Sequence, residues 1–311
     1  MAAPLPAEFA VTPPSEPAAP LPPDLAAPLP SELANPLAPF CSARPGPGPG
    51  PFLAVSAEGI RAVAEHLGLS PGQAMILCLG HDIWPLRFAR NRGVFSAEEQ
   101  IRLLRSRAAV IGCGGLGGHV VTLLARAGVG AFTLCDPDSF DESNGNRQLL
   151  CREANIGRNK ALVAQEELAA IASHAEARVF PVAAGPANLP DILHKADIVM
   201  DCLDSLETRR SVAAAADAAA IPFVHGAVAG EEGFAMLLRP GEKGLDSLYG
   251  TEVSHEETNA ESRLGVPTLT PAAIAVLQAN IALRVLTGKT SGSRQLCHLD
   301  LSAPALEILA L

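Results

Sequence analysis

An α/β fold, with a largely parallel sheet covered by helices on both faces, is what this sequence predicts. Three observations carry that prediction. From Arg107 onward short apolar runs alternate with helical stretches. Several of these runs are apolar throughout instead of alternating, as strands buried on both faces are. The first of them ends in a Gly-rich turn directly ahead of a helix, where the N–H groups of a helix start face outward.

The elements follow in order. Residues 1–52 differ in kind from the rest: they are Pro- and Ala-rich, and a Pro-Leu-Pro phrase recurs from Pro4, Pro20 and Pro28. Closely spaced prolines remove backbone donors and fix φ, so a disordered or PPII-like tail is expected here, a tether before a docking arm. Residues 53–86 read as a small helical appendage. Ser56 starts a helix whose Ile60, Val63, Ala64 and Leu67 share a face and which Gly68 closes, and a second helical segment runs from Pro71 to Leu79. The main domain is expected over 87–311. Ala108 to Ile111 is its first strand, Leu116 to Ala127 a helix closed by Gly128, and Ala131 to Cys135 a strand ending in Asp136-Pro137-Asp138. Lys160 to Ser173 reads as a helix, Ala177 to Pro181 as a strand, Ile198 to Cys202 as a buried strand, Glu207 to Ala220 as a helix and Ile221 to His225 as a strand. Thr270 to Leu286, apolar on most faces and stopped by Gly288, reads as a core or dimer helix.

Composition narrows the function. Of 311 residues 48% are hydrophobic and 18% charged, enough apolar material for a sizeable core. The net charge of −10 argues against broad nucleic-acid binding, which needs basic stripes. No apolar run is read as spanning a bilayer, and the first residues carry neither a basic region nor an apolar segment of signal-peptide type. The seven cysteines form no CxxC pair, so a disulfide framework and a four-Cys zinc site are both poorly supported. A soluble, cytoplasmic protein is expected.

Chemistry gathers at the predicted carboxyl ends of the strands, where such folds bind nucleotides. Gly112, Gly114, Gly115 and Gly117 form a turn that lets backbone approach a phosphate, and Asp136 stands where a carboxylate accepts from ribose hydroxyls. That pair fits a nicotinamide-dependent oxidoreductase equally well. Arg147 and Lys160 break the tie: hydride transfer has no need of two cations converging on phosphates, whereas phosphoryl or adenylyl transfer has. Only four of the 23 cationic residues are lysines, which makes Lys160 more informative than a lysine usually is.

Together, Gly112-Cys-Gly-Gly-Leu-Gly117, Asp136-Pro-Asp138, Ser143-Asn-Gly-Asn-Arg-Gln148, Gly157-Arg-Asn-Lys160 and Met200-Asp-Cys-Leu-Asp204 resemble the motifs of the ThiF/MoeB/HesA family, in the family's order, from about Arg87 to Gly288. These are bacterial relatives of ubiquitin-activating E1 enzymes. The resemblance implies a Rossmann-like fold continued by antiparallel strands. It also implies ATP-dependent adenylation of the C-terminal glycine of a ubiquitin-fold sulfur carrier of the MoaD/ThiS type, in molybdopterin- or thiamine-type sulfur transfer. On that basis Asp136 holds the ribose, Asp138 adjoins it, and Asn144, Arg147 and Lys160 contact phosphates. Gln148 supports their loop, and Asp204 positions Mg²⁺. Arg90, near Arg87 and Arg92, is expected to reach the ATP site of the second subunit in a homodimer.

Departures from the family pattern matter as well. Its zinc-holding CxxC pairs are missing, only Cys297 standing in the matching stretches, so no structural zinc is expected and His298 reads as part of a C-terminal strand. Glu261 falls where the family's crossover-loop cysteine would lie, and a carboxylate forms no thioester. Adenylation without covalent transfer is therefore expected, with the adenylate passed to an external sulfur donor. Cys113, Cys151 and Cys202 read first as small apolar residues. The alternatives kept open are a TcdA-like tRNA threonylcarbamoyladenosine dehydratase, a nicotinamide-dependent oxidoreductase and a non-catalytic carrier-binding subunit.

Overall fold

The computed structural model describes residues 37, 39–47, 50–242, 244–250, 263–289 and 295–310. It divides into two units, Met1–Ala97 and Glu98–Leu311. Most of the Pro-rich stretch and Glu261 lie outside the described residues.

In the first unit β1 (Cys41–Arg44) runs antiparallel to β2 (Phe52–Val55), and β2 runs parallel to β3 (Ile83–Pro85). Two expectations are corrected here. The stretch to residue 52 is not all tail, because Cys41–Arg44 satisfies its backbone groups against β2. The segment from 53 to 86 is also not purely helical. Too short to show a periodicity, β2 and β3 escape sequence reading yet are fully buried. The helices themselves fall where expected. In α1 (Ala57–Leu67) the Ser56 hydroxyl accepts the Gly59 N–H, and Gly68 closes the helix at φ 66°. α2 (Pro71–Gly80) starts in a capping box of Ser70 and Gln73. The boundary between the units follows Ala97 instead of residue 86.

α3 (Ala97–Arg105), not anticipated, leads into the second unit. Its sheet has the strand order β11-β10-β9-β8-β7-β4-β5-β6. β4 (Arg107–Ile111), β5 (Ala131–Cys135), β6 (Glu176–Phe180), β7 (Ile198–Asp201) and β8 (Phe223–Ala229) are mutually parallel. β9 (Glu232–Leu238), β10 (Gln295–Asp300) and β11 (Ala305–Ala310) continue the sheet antiparallel. Cys297 and His298 thus sit in a C-terminal strand. β8 begins two residues later than expected and extends to Ala229, and the turn at Gly230 that reverses it into β9 was not anticipated.

Between the strands run α4 (Gly115–Ala127), α5 (Lys160–Ile171), the short α6 (Leu189–Ile192) and α7 (Leu206–Ala218), followed by the short α8 (Asp246–Tyr249) and the long α9 (Leu269–Thr287). A core of Ala109, Ile111, Val199, Val212, Phe223 and Met236, with α6 packed on it, fills one face of the sheet. α9 packs against α4, β8 and β9. By length and composition α9 is apolar enough to cross a membrane, contrary to the reading that no run was. Its buried Thr270 and Gln278 bond to protein backbone, however, and its packing makes it a helix of this core.

The chain runs from β4 to β5 and β6 on one side, then returns to β7 and β8 on the other. The carboxyl ends of β4 and β7 therefore diverge at a topological switch point, the place where such sheets leave a crevice.

Candidate active site

A cleft of about 340 Å³ opens at that switch point, lined among others by Gly114, Asp136, Arg147, Gln148, Lys160 and Asp204. Its floor is made by the loop after β4. Gly112 has φ 93°, and a Cβ there would strike the carbonyl of Cys202 after β7. A Cβ at Gly117 would fall on the carbonyl of Gly112. These two glycines thus let the β4 and β7 loops and the first turn of α4 close on one another, while Gly114 and Gly115 face the cleft. No side chain caps α4, which leaves first-turn N–H groups available to an anion.

Asp136, only 5% exposed, binds this loop together. Its Oδ2 accepts the Cys113 N–H at 2.6 Å and its Oδ1 accepts the Asp138 N–H at 2.8 Å. Burial pushes its carboxyl above the ordinary range, against those two N–H bonds and the nearby Lys160 charge. Each oxygen keeps lone-pair capacity for a ribose hydroxyl.

Asn159 places Lys160. Its Oδ1 accepts the Leu162 N–H and caps α5, and its Nδ2 donates to the carbonyls of Asp136 and Asp138. Lys160 is 8% exposed, with Nζ 3.1 Å from Asp138 Oδ2. Arg147 stands at the rim, its Nη1 donating to the Ser143 carbonyl and Asn146 Oδ1. Gln148 is buried beside Gly114, and its Oε1 has no hydrogen-bond partner among the described residues.

On the opposite wall Asp204 is exposed, and no hydrogen bond or ion pair engages its side chain among the described residues. The cap of α7 is Ser205, whose Oγ accepts the Thr208 N–H, so the helix start makes no claim on the Asp204 carboxylate.

Asn144 departs from expectation. Its Oδ1 accepts the Asp141 N–H in a local capping box, and it does not line the cleft. Gly117 serves the loop's closure without facing the cavity. Arg87, Arg90 and Arg92 belong to the first unit. There Arg87 lies 5.5 Å from the Phe88 ring centroid, Arg92 stacks at 4.9 Å over Phe52 and donates to the Pro47 carbonyl, and Arg90 is exposed. Burial pushes the Cys113 and Cys202 thiols well above their ordinary range, which disfavours the thiolate at both. Sequence reasoning assigned no role to Asp201, Arg209, His225 and Tyr249, which form a polar line behind Asp204, buried at the first three and half-buried at Tyr249. They come from three elements besides β7, and no spacing in the chain links them.

The site suits a nucleoside triphosphate. Backbone N–H groups and two cations face one cavity, and the buried carboxamide oxygen of Gln148 has no donor among the described residues. It also suits a Mg²⁺ ion shared between one carboxylate and phosphate oxygens, since Asp204 is uncommitted. No cluster of three or more His, Cys, Asp or Glu side chains able to hold a metal by themselves occurs among the described residues.

The model of the ThiF family matches residues 88–309. The probable adenylyltransferase/sulfurtransferase MoeZ of Mycobacterium tuberculosis is 32% identical over 196 residues, which is 61% of this chain and 50% of MoeZ. The chain therefore spans about half the length of that relative. The sulfur carrier protein ThiS adenylyltransferase of Escherichia coli is 31% identical over 215 residues, 69% of this chain and 85% of the relative. Among solved structures, E. coli MccB with MccA superposes with a TM-score of 0.62 at 22% identity, covering 72% of this chain and 71% of MccB, a likeness of fold.

Proposed function

This chain belongs to the ThiF family, and from that premise we propose that it is an ATP-dependent adenylyltransferase. Its substrate in this reading is the C-terminal glycine carboxylate of a MoaD/ThiS-type ubiquitin-fold sulfur carrier. The observation that carries the reading is the meeting of Arg147, Lys160, Asp136 and Asp204 around one Gly-rich helix start. Two cations and a row of N–H groups match a triphosphate, and hydride transfer gives them nothing to do.

In this reaction a carboxylate oxygen of the carrier attacks the α-phosphorus of ATP. The bond from that phosphorus to the bridging oxygen of the β-phosphate breaks, and pyrophosphate leaves with the bonding pair. The acyl-adenylate remains. No proton transfer is required at the reacting centre, so the chain's contribution is alignment and charge. Asp136 and Gln148 hold the nucleoside end, and the first turn of α4 receives phosphate oxygens. Lys160 turns from Asp138 toward the triphosphate, and Arg147 meets the charge growing on the departing pyrophosphate from the rim. Asp204 would hold Mg²⁺, and the ion would supply charge neutralisation for the leaving pyrophosphate.

Further parts of the reading rest on sequence. With Glu261 at the position of the family's crossover cysteine, the adenylate passes to an external sulfur donor without a thioester on that loop. Arg90 serves the second subunit of a homodimer.

ATP–pyrophosphate exchange by the purified protein, with and without Gly-Gly-ended carrier proteins, tests the proposal. Exchange that depends on one carrier is the expected result and names the substrate. ATP binding with no exchange on any carrier would shift the reading to an RNA-borne or small-molecule carboxylate, and failure to bind ATP would overturn it.

A further inference from the structure

The Leu203–Asp204 wall of the cleft is held from behind by polar groups that do not line the cleft. Asp201 and His225 are fully buried and Arg209 is 4% exposed, in a neighbourhood of Val199, Val212, Phe223 and Met236. Asp201 Oδ1 accepts the Leu203 N–H at 3.1 Å, and Arg209 Nη2 donates to the Leu203 carbonyl. Both peptide groups of the residue preceding Asp204 are thereby fixed. Arg209 is seated in turn by Nη1 on the Gly226 carbonyl at 2.7 Å and lies 3.6 Å from Asp201 Oδ2. From the α9 side Gln278 Nε2 donates to the Asp201 carbonyl at 2.8 Å.

His225 decides how the Asp201 carboxylate is turned. Its Nδ1 lies 2.6 Å from Asp201 Oδ2, and its Nε2 lies 2.9 Å from the Tyr249 hydroxyl. Burial lowers the imidazole's pKa, with Asp201 pulling the other way, so the ring is neutral near pH 7. A neutral imidazole has one N–H, and an ionised carboxylate only accepts. The proton is therefore on Nδ1 and is donated to Asp201, while Nε2 accepts from the Tyr249 O–H. Arg209 Nη1, 3.2 Å from Nδ1, finds no lone pair there and keeps its bond to Gly226. The Asp201 carboxylate thus fixes the tautomer, Tyr249 donates to the lone pair that this tautomer leaves on Nε2, and the carboxylate so oriented holds Leu203. An apolar cluster of the same volume would fold as well or better than a buried ionic one. Here Asp201 and Arg209 both bond to a single peptide beside an exposed cleft carboxylate, and His225 is bonded to Asp201.

We propose that His225 and Tyr249 are positioning residues of the nucleotide site, acting through Asp201 and Arg209 to hold the Leu203 peptide and so to aim the Asp204 carboxylate at the bound phosphates. What Asp204 does there rests on the adenylyltransferase reading; the clamp on Leu203 does not.

Two measurements on the full chain test this: amide hydrogen exchange at Leu203 and Asp204, and ATP affinity by calorimetry with and without Mg²⁺. The wild type is compared with His225→Ala, His225→Asn and Tyr249→Phe. Groups that orient a metal ligand commonly account for tenfold or more in affinity, so His225→Ala, which loosens the Leu203 peptide ahead of Asp204, is expected to lower the Mg²⁺-dependent gain in ATP affinity roughly tenfold. It is also expected to speed Leu203 exchange while Phe132 to Leu134 in β5 keep their protection. His225→Asn retains a donor toward Asp201 and restores most of both properties, and Tyr249→Phe falls between. Variants that only melt earlier, with Leu203 exchange and Mg²⁺ dependence unchanged, would overturn the proposal. Should His225→Ala fail to fold, Tyr249→Phe carries the same decision. A wild type that binds no ATP would remove the adenylyltransferase reading, and Leu203 exchange would still decide the clamp.

Discussion

Asp204 and Gly117 show how differently two residues of one site are constrained. Asp204 is exposed and bonds to no side chain or backbone group among the described residues, so its substitution is expected to act on function with little effect on folding. Asp204→Asn keeps the shape and removes the charge, and pyrophosphate exchange at limiting Mg²⁺ is expected to fall about a hundredfold, in the range of losing one transition-state contact. An unchanged rate in that assay would end its metal role. Gly117 is the reverse case, because a methyl group there meets the carbonyl of Gly112 and the backbone has nowhere to go. Gly117→Ala is expected to cost roughly 1–3 kcal/mol, read in urea unfolding, and to weaken ATP binding by displacing the loop. Both residues were legible in the sequence from their motifs. Asn144 was legible as a polar loop residue, but its engagement with the Asp141 N–H follows from a turn that no motif spells out.

At the scale of elements, caps and glycine stops placed the helices well, since Ser56, Gly68 and Gly288 act within one turn of themselves. Strands were harder, because pairing partners lie far away in sequence. β1 pairs with β2, residue Cys41 opposite Val55, inside what reads as a Pro-rich tether. Removal of the chain through Arg44 is therefore expected to lower the melting temperature of the first unit by taking β1 from β2. A pH dependence belongs to this scale too, because four elements besides its own strand build the His225 environment. Asp201, Arg209 and Tyr249 face the ring, with Phe223 and Phe234 beside it. Its pKa is lowered from 6.5, so below about that pH the unfolded chain takes up a proton that the folded chain refuses. Stability is present above pH 6.5 and is lost as pH falls toward the folded value. Urea midpoints between pH 7.5 and 5.5 should drop more steeply for the wild type than for His225→Asn.

For the whole molecule, function as proposed needs two copies. Arg90→Ala and Asp204→Asn subunits, each nearly inactive alone, are expected to recover about a quarter of wild-type exchange when mixed in equal amounts, because random pairing makes half the dimers mixed and each of those has one intact site of two. Mixtures as inactive as their parts would remove the in-trans role of Arg90. By itself the sequence determined the α/β class, the Gly-loop, Asp136 at the end of the second parallel strand, and the Arg147–Lys160 pair. Those signals are local: apolar periodicity, a glycine that permits a turn, a charge at a strand end. Only the tertiary structure decided that Gln148 is buried with an oxygen unpaired among the described residues, that Lys160 rests on Asp138, and that His225 and Tyr249 stand behind Asp204. Burial and hydrogen-bond partnership are properties of strand order and helix packing. They join residues 24 apart from Asp201 to His225, and again from His225 to Tyr249, that nothing in the chain between them connects.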